Sequence, residues 1–137
     1  MLPSENLIGT NPDGVIIRRS PHSVKETMER LESILLQHGA TVYARIDQQA
    51  ELERVGKHIL PLVFILFGNP QGGGTIIVEN PLAALDLPLK LIAWEDQQHK
   101  VWVAYNNFTY IAMRYKLSPR VIPFLHLDKM VKEVLNE

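Results

Sequence analysis

The residues with the most chemistry within reach lie between Phe67 and Asp96. There the segment FGNPQGGGT sets three consecutive glycines, Gly72, Gly73 and Gly74, behind Asn69 and ahead of Thr75. Glycines let backbone amides approach a guest without interference from Cβ. Pro70 removes one donor and fixes the turn, and Asn69 offers both a donor and an acceptor. A strand that ends in such a loop and feeds a helix suits an anion, and if Thr75 opens the helix its dipole adds positive character at the same spot. The expected ligand-binding set is therefore Asn69, Gly72, Gly73 and Thr75. Asp47, at the end of an earlier strand, and His58, near the mouth of an apolar run, complete it. The expected guest is a small anionic or carbonyl-bearing molecule. A purely architectural reading competes with this one, in which the glycines only let the chain double back.

Two phosphate motifs are excluded. A P-loop needs lysine and Ser/Thr after its last glycine, and here the glycines run straight into Thr75. Nor are the three glycines spaced to turn and then pack as a dinucleotide fingerprint requires. The five histidines, His22, His38, His58, His99 and His126, form no close-spaced ligand pattern, so no metal site is assigned. The carboxylates Asp47, Asp86, Glu95 and Asp96 all fall at expected strand ends. Acid–base catalysis would need two of them brought together in a cleft, whereas capping and turn formation explain each singly. There is no cysteine and no G-x-S-x-G elbow. No catalytic residue and no cofactor are assigned.

Charge and length narrow the partners. A net charge of −1 gives no basic footprint for nucleic acid. The apolar run Leu62 to Phe67 is too short to span a membrane, and MLPSENLIGTNPDG shows no basic-then-apolar signal pattern. A cytoplasmic chain of one domain, residues 1–137, is expected.

The elements that must position these residues can be read in order. Val15 to Arg19 reads as a strand after the turn-forming Asn11-Pro12-Asp13-Gly14. Ser23 and Glu26 form a capping box, and Val24, Met28, Leu31 and Leu35 make one helical stripe that Gly39 closes. Thr41 to Asp47 alternates as a half-buried strand with Val42, Ala44 and Ile46 inward. Gln49 to Val55, closed by Gly56, reads as a short helix. Leu62 to Phe67, apolar at every position, reads as a strand buried on both faces. Thr75 to Glu79 is ambiguous: its β-branched residues favour a strand, its flanking glycines and proline a short helix. Pro88–Glu95 and Val101–Asn106 form an antiparallel pair with Trp94 opposite Trp102 if Glu95 pairs with Val101. Phe108 to Tyr115 reads as helical, and after Pro123 a last helix carries Phe124, Leu127, Val131 and Val134 on one side.

Several blocks in this order resemble the bacterial domain of unknown function 302 family: Asp47 at the end of ARID, Phe67-Gly68-Asn69-Pro70, Asn80-Pro81, Leu85-Asp86-Leu87-Pro88-Leu89-Lys90, Trp94-Glu95-Asp96 and Tyr105-Asn106. The resemblance covers residues 15–117, with a C-terminal helix over about 119–136. It implies an α+β fold, a two-layer sandwich with a mostly antiparallel sheet and helices packed on one face, usually as a homodimer. It also resolves Thr75–Glu79 as helix. Family members often carry histidine where this chain has Gln48 and Tyr115, so no role resting on those imidazoles transfers here.

From these residues the expected core is Val24, Met28, Leu31, Leu35, Val42, Ile46, Phe64, Leu66, Leu91 and Val103. The opposite sheet face is expected to carry Val63, Ile65, Phe67, Ile92, Trp94 and Trp102, and this face or an adjoining strand edge is expected to join two copies in a C2 homodimer. A homodimeric small-molecule-binding or regulatory module is the leading functional expectation. One alternative is a small enzyme using the strand-end carboxylates and the Asn69 loop on a polar or anionic substrate, and a structural role inside a larger complex is a third reading.

Overall fold

The computed structural model describes residues 12–119 and 127–136. The strands are β1 (Val15–Ser20), β2 (Thr41–Asp47), β3 (Leu62–Gly68), β4 (Leu89–Glu95) and β5 (Val101–Asn106). They pair in the spatial order β1-β5-β4-β3-β2, each neighbour antiparallel. The helices are α1 (Val24–Gln37), α2 (Gln48–Glu53), α3 (Pro70–Glu79), α4 (Phe108–Arg114) and α5 (Leu127–Val134), with a 3₁₀ turn at Pro81–Leu85. The core lies between helices and one sheet face, the expected α+β arrangement.

Helix α1 forms where its stripe places it. The Ser23 hydroxyl accepts from the Glu26 amide at 3.1 Å, and Val24, Met28, Leu31 and Leu35 are all buried. Thr27 is buried for a polar reason: its hydroxyl lies 2.6 Å from that of Ser20 at the end of β1. Glu26 is held by Arg30 at 2.9 Å, and that hydrogen bond keeps its carboxyl below the usual carboxylate range. Gly39 takes φ +81°, the left-handed stop that favours glycine. The β4–β5 pair also has the expected register, Glu95 opposite Val101 and Trp94 opposite Trp102.

Strands β2 and β3 depart from the expected facing. Ile65 and Phe67 are fully buried beneath the helices and Val63 packs with them. Phe64 and Leu66 belong to the other face, because Ile65 pairs with core residue Leu91 while Phe64 pairs with Ile92. A run that is apolar at every position has no period-two signal, so only the pairing register can choose its face. In β2 a bulge intervenes between Val42 and Ala44. Val42 pairs with buried Phe67, but beyond the bulge Ala44 and Ile46 pair with Leu66 and Phe64 on the open face. One inserted residue reverses the side on which all later residues fall. Ile46, Phe64 and Leu66 therefore leave the expected core, and Val63, Ile65 and Phe67 replace them. Two cations lie over the open face, Lys90 at 4.4 Å from the Phe64 ring centre and Arg19 at 5.7 Å from that of Trp102.

Helix α5 turns Leu127, Met130, Val131 and Val134 inward; Pro123 and Phe124 lie outside the described residues. A three-residue clamp ties it to the sheet. Arg18 of β1 donates from Nη2 to both Asp128 oxygens, at 2.7 and 2.9 Å, and from Nε to the Tyr105 hydroxyl at 2.9 Å. The Tyr105 hydroxyl donates to Asp128 in turn. Burial opposes the Asp128 charge, but hydrogen bonds from Tyr105 and Arg18 outweigh it and hold the carboxyl below its ordinary range. Burial and the Asp128 contact push the Tyr105 hydroxyl up, so it stays protonated.

Candidate functional site

The glycine segment is the body of a helix, not a loop. Asn69 caps α3: its Oδ1 accepts from the Gln71 amide at 3.0 Å and its carbonyl from the Gly73 amide at 2.7 Å. Pro70 takes the first helical position, where its missing N–H is no loss. This cap starts the helix five residues before Thr75, whose hydroxyl donates to the Gln71 carbonyl at 3.0 Å. The Gln71 and Gly73 amides are thereby spent inside the helix, and an open amide cradle does not form.

What forms instead is a hollow of about 210 Å³ beside α3. Gly68, Asn69, Pro70, Gly73, Gly74 and Ile77 line one side, with Tyr43, Leu87, Pro88 and Leu89 opposite. The wall is mostly apolar, and the Asn69 amide is its most polar group. Among the described residues Asn69 Nδ2 donates to nothing, because the cap uses Oδ1. The opposite wall is braced from behind. Asp86, next to Leu87, accepts from the Tyr115 hydroxyl at 2.5 Å and from Arg114 at 3.1 Å. That hydrogen bond, with a smaller contribution from burial, pushes the Tyr115 hydroxyl up. Asn80 joins the same brace, accepting from the Leu82 amide and donating to the Tyr115 carbonyl at 2.9 Å. The Leu87–Pro88 peptide bond is cis.

Gly73 and Gly74 have no explanation among the described residues. Neither adopts the positive φ that requires glycine at Gly14, Gly39 and Gly56. A Cβ built on either would meet nothing within 4 Å. Yet glycine in a helix interior costs about 1 kcal/mol relative to alanine. Stability is given up at two positions where the described residues leave room for a side chain, and both face the hollow.

The expected ligand set divides. Asn69 and Gly73 line this hollow, whereas Gly72 and Thr75 belong to α3 without lining it. Asp47 caps α2 through the Ala50 amide at 3.0 Å and lines a second hollow of about 440 Å³ with Lys25, Arg45 and Glu95. Asp47 pairs with Val63 at the start of β3, while Asn69 lies past its end. Six residues of strand, roughly 20 Å, separate the two sites. His58 is exposed between α2 and β3 and lines neither. The carboxylates divide as well. Asp96 is buried and braces its turn, accepting from the Gln98 and Lys100 amides and from Trp102 Nε1, each at 2.9 Å. Asp86 serves Tyr115, so only Asp47 and Glu95 share a hollow, and the enzyme alternative that joined them to Asn69 has no common site.

Tyr43, Ile77, Leu87 and Pro88 were not among the expected site residues. The Leu85–Lys90 block contained the signal for two of them, while Tyr43 reaches the hollow only because of the β2 bulge. Among the described residues no group of three or more His, Asp or Glu is placed to hold a metal ion, and no helix is long and apolar enough to cross a membrane.

Comparison with known proteins adds a family and a fold. The family model described as domain of unknown function DUF302 matches residues 16–137. Proteins named fluoride-specific ion channel FluC 1 from Brucella suis biovar 1 and Brucella abortus biovar 1 are each 36% identical over 105 residues. Those matches cover 77% of this chain but 41% and 39% of the relatives, so the chain spans about two-fifths of their length. The crystal structure of an uncharacterized conserved DUF302 protein from Bacillus stearothermophilus superposes with a TM-score of 0.69 at 21% identity, covering 91% of this chain and 92% of the other.

Proposed function

The chain belongs to the DUF302 family, and from that premise we propose that it is a cytoplasmic small-molecule-binding or regulatory module that works as a homodimer. The observation that carries the binding half is the pair Gly73 and Gly74, bare helical positions facing a hollow that none of the described residues fills. The guest has a small apolar body against Ile77, Leu87 and Pro88, and a carbonyl or carboxylate oxygen that accepts from Asn69 Nδ2. The N-terminal end of α3 favours negative charge at that same place. Proteins named as ion channels contain a region like this chain as two-fifths of their length, which supports a module that senses or regulates over one that completes a reaction itself.

The binding half is tested by following backbone amide shifts while titrating acetate, hexanoate and sulfate. Saturable movement at residues 68–77, stronger for hexanoate than for the other two and lost in Gly73→Val with the fold intact, is expected. Shifts that are absent or uniform at millimolar hexanoate would leave the glycines as architecture.

The homodimer half rests on the open sheet face, where Ile17, Ile46, Phe64, Ile92 and Trp94 present apolar groups away from the helices. Such surfaces commonly become interfaces. Sedimentation at micromolar concentration should show a species of twice 15.6 kDa. A lone 15.6 kDa species would remove this half of the proposal.

A further inference from the structure

The second hollow, at the opposite end of β2 and β3, carries charges of both signs over an apolar floor. Lys25, in the first turn of α1, and Arg45 of β2 supply the cations; Asp47 and Glu95 supply the anions. Buried Val24 and half-buried Val63 form part of the floor. We propose that this hollow binds a zwitterion of the amino-acid type, with an ammonium and a carboxylate on neighbouring carbons and a short apolar side chain.

Each charged group has capacity left for a guest. Lys25 has no partner among the described residues, and it sits where the helix already presents positive character, an unfavourable place for an unpaired cation. A bound carboxylate removes that penalty. Arg45 meets Glu32 through Nη1 at 3.5 Å, a long contact that leaves guanidinium donors for the same carboxylate. Asp47 uses Oδ1 to cap α2 and Glu95 uses Oε2 for His99, so Asp47 Oδ2 and Glu95 Oε1 remain as acceptors for an ammonium. Arg45 and Asp47 stand two residues apart on one face of β2, about 6.8 Å along the strand, so a cation and a carboxylate line the same wall of the hollow. A guest with only one charge would leave either the cations or the carboxylates unmatched.

The test uses the full chain and L-alanine as probe, with propionate and ethylammonium as singly charged controls, read by backbone amide shifts. Saturable movement confined to residues 23–26, 45–49 and 95 is expected with L-alanine, and binding of either control should be weaker by about tenfold or more. Lys25→Met and Asp47→Asn should each weaken L-alanine binding by a similar factor. Asparagine still caps α2 and Lys25 is exposed, so unchanged thermal unfolding verifies that both variants fold. Equal binding of propionate and L-alanine would overturn the proposal in favour of a simple anion site. Absence of saturable shifts at tens of millimolar L-alanine would overturn it outright. Because residues 68–77 lie at the other end of the strands, failure here is distinguishable from failure of the glycine hollow.

Discussion

Helices α1 and α3 stand on the same sheet and are built on opposite principles. In α1, fourteen residues bury Val24, Thr27, Met28, Leu31 and Leu35, and caps at both ends satisfy the loose backbone groups. In α3, ten residues bury Ile76 alone, and Val78 is left 87% exposed. Three glycines weaken it further, and its start depends on the Asn69-Pro70 cap. Packing holds most protein helices together, so a helix with one buried side chain and a glycine-rich first half is maintained for something other than the core. The difference separates the part of the molecule that makes stability from the part that surrenders some of it beside a hollow.

The largest expected effect tests the α1 side of this contrast. Leu31 is 1% exposed, and Leu31→Ala should cost about 2–5 kcal/mol, read as a lower urea midpoint at unchanged slope. A midpoint that barely moved would mean that α1 is not the main anchor of the core.

The smaller effect runs the other way. Gly73→Ala places a methyl group where nothing lies within 4 Å, in a helix that prefers alanine. It should raise stability by about 0.5–1 kcal/mol while weakening any guest of the hollow. Loss of stability in that variant would show that Gly73 serves the fold, and the contrast between the two helices would collapse.

Legibility in the sequence followed the strength of the periodic signals. The α1 stripe, Ser23, Gly39 and the β4–β5 register could all be read, because each is set by residues close together in the chain. The Gly68–Thr75 region reads as a loop from sequence, since glycine and proline are breakers in isolation. Asn69 as cap and Pro70 at the first helical position turn the same residues into a helix start. Asp47 and His58 were grouped with Asn69 although nothing local could show that they lie far from it.

The sequence by itself determined the best-formed helix and the β4–β5 pairing, since side-chain period and capping chemistry act over a few residues, while the class of fold was implied by the resemblance of its motif blocks to a family. Only the tertiary structure decided which face of β3 is buried, because an unbroken apolar run is silent until its neighbour fixes the register. The same holds for the two hollows. Tyr43 lines one with Leu87 and Pro88, and Lys25 lines the other with Asp47 and Glu95, only because strand pairing, a bulge and the packing of α1 bring together residues distant in the chain.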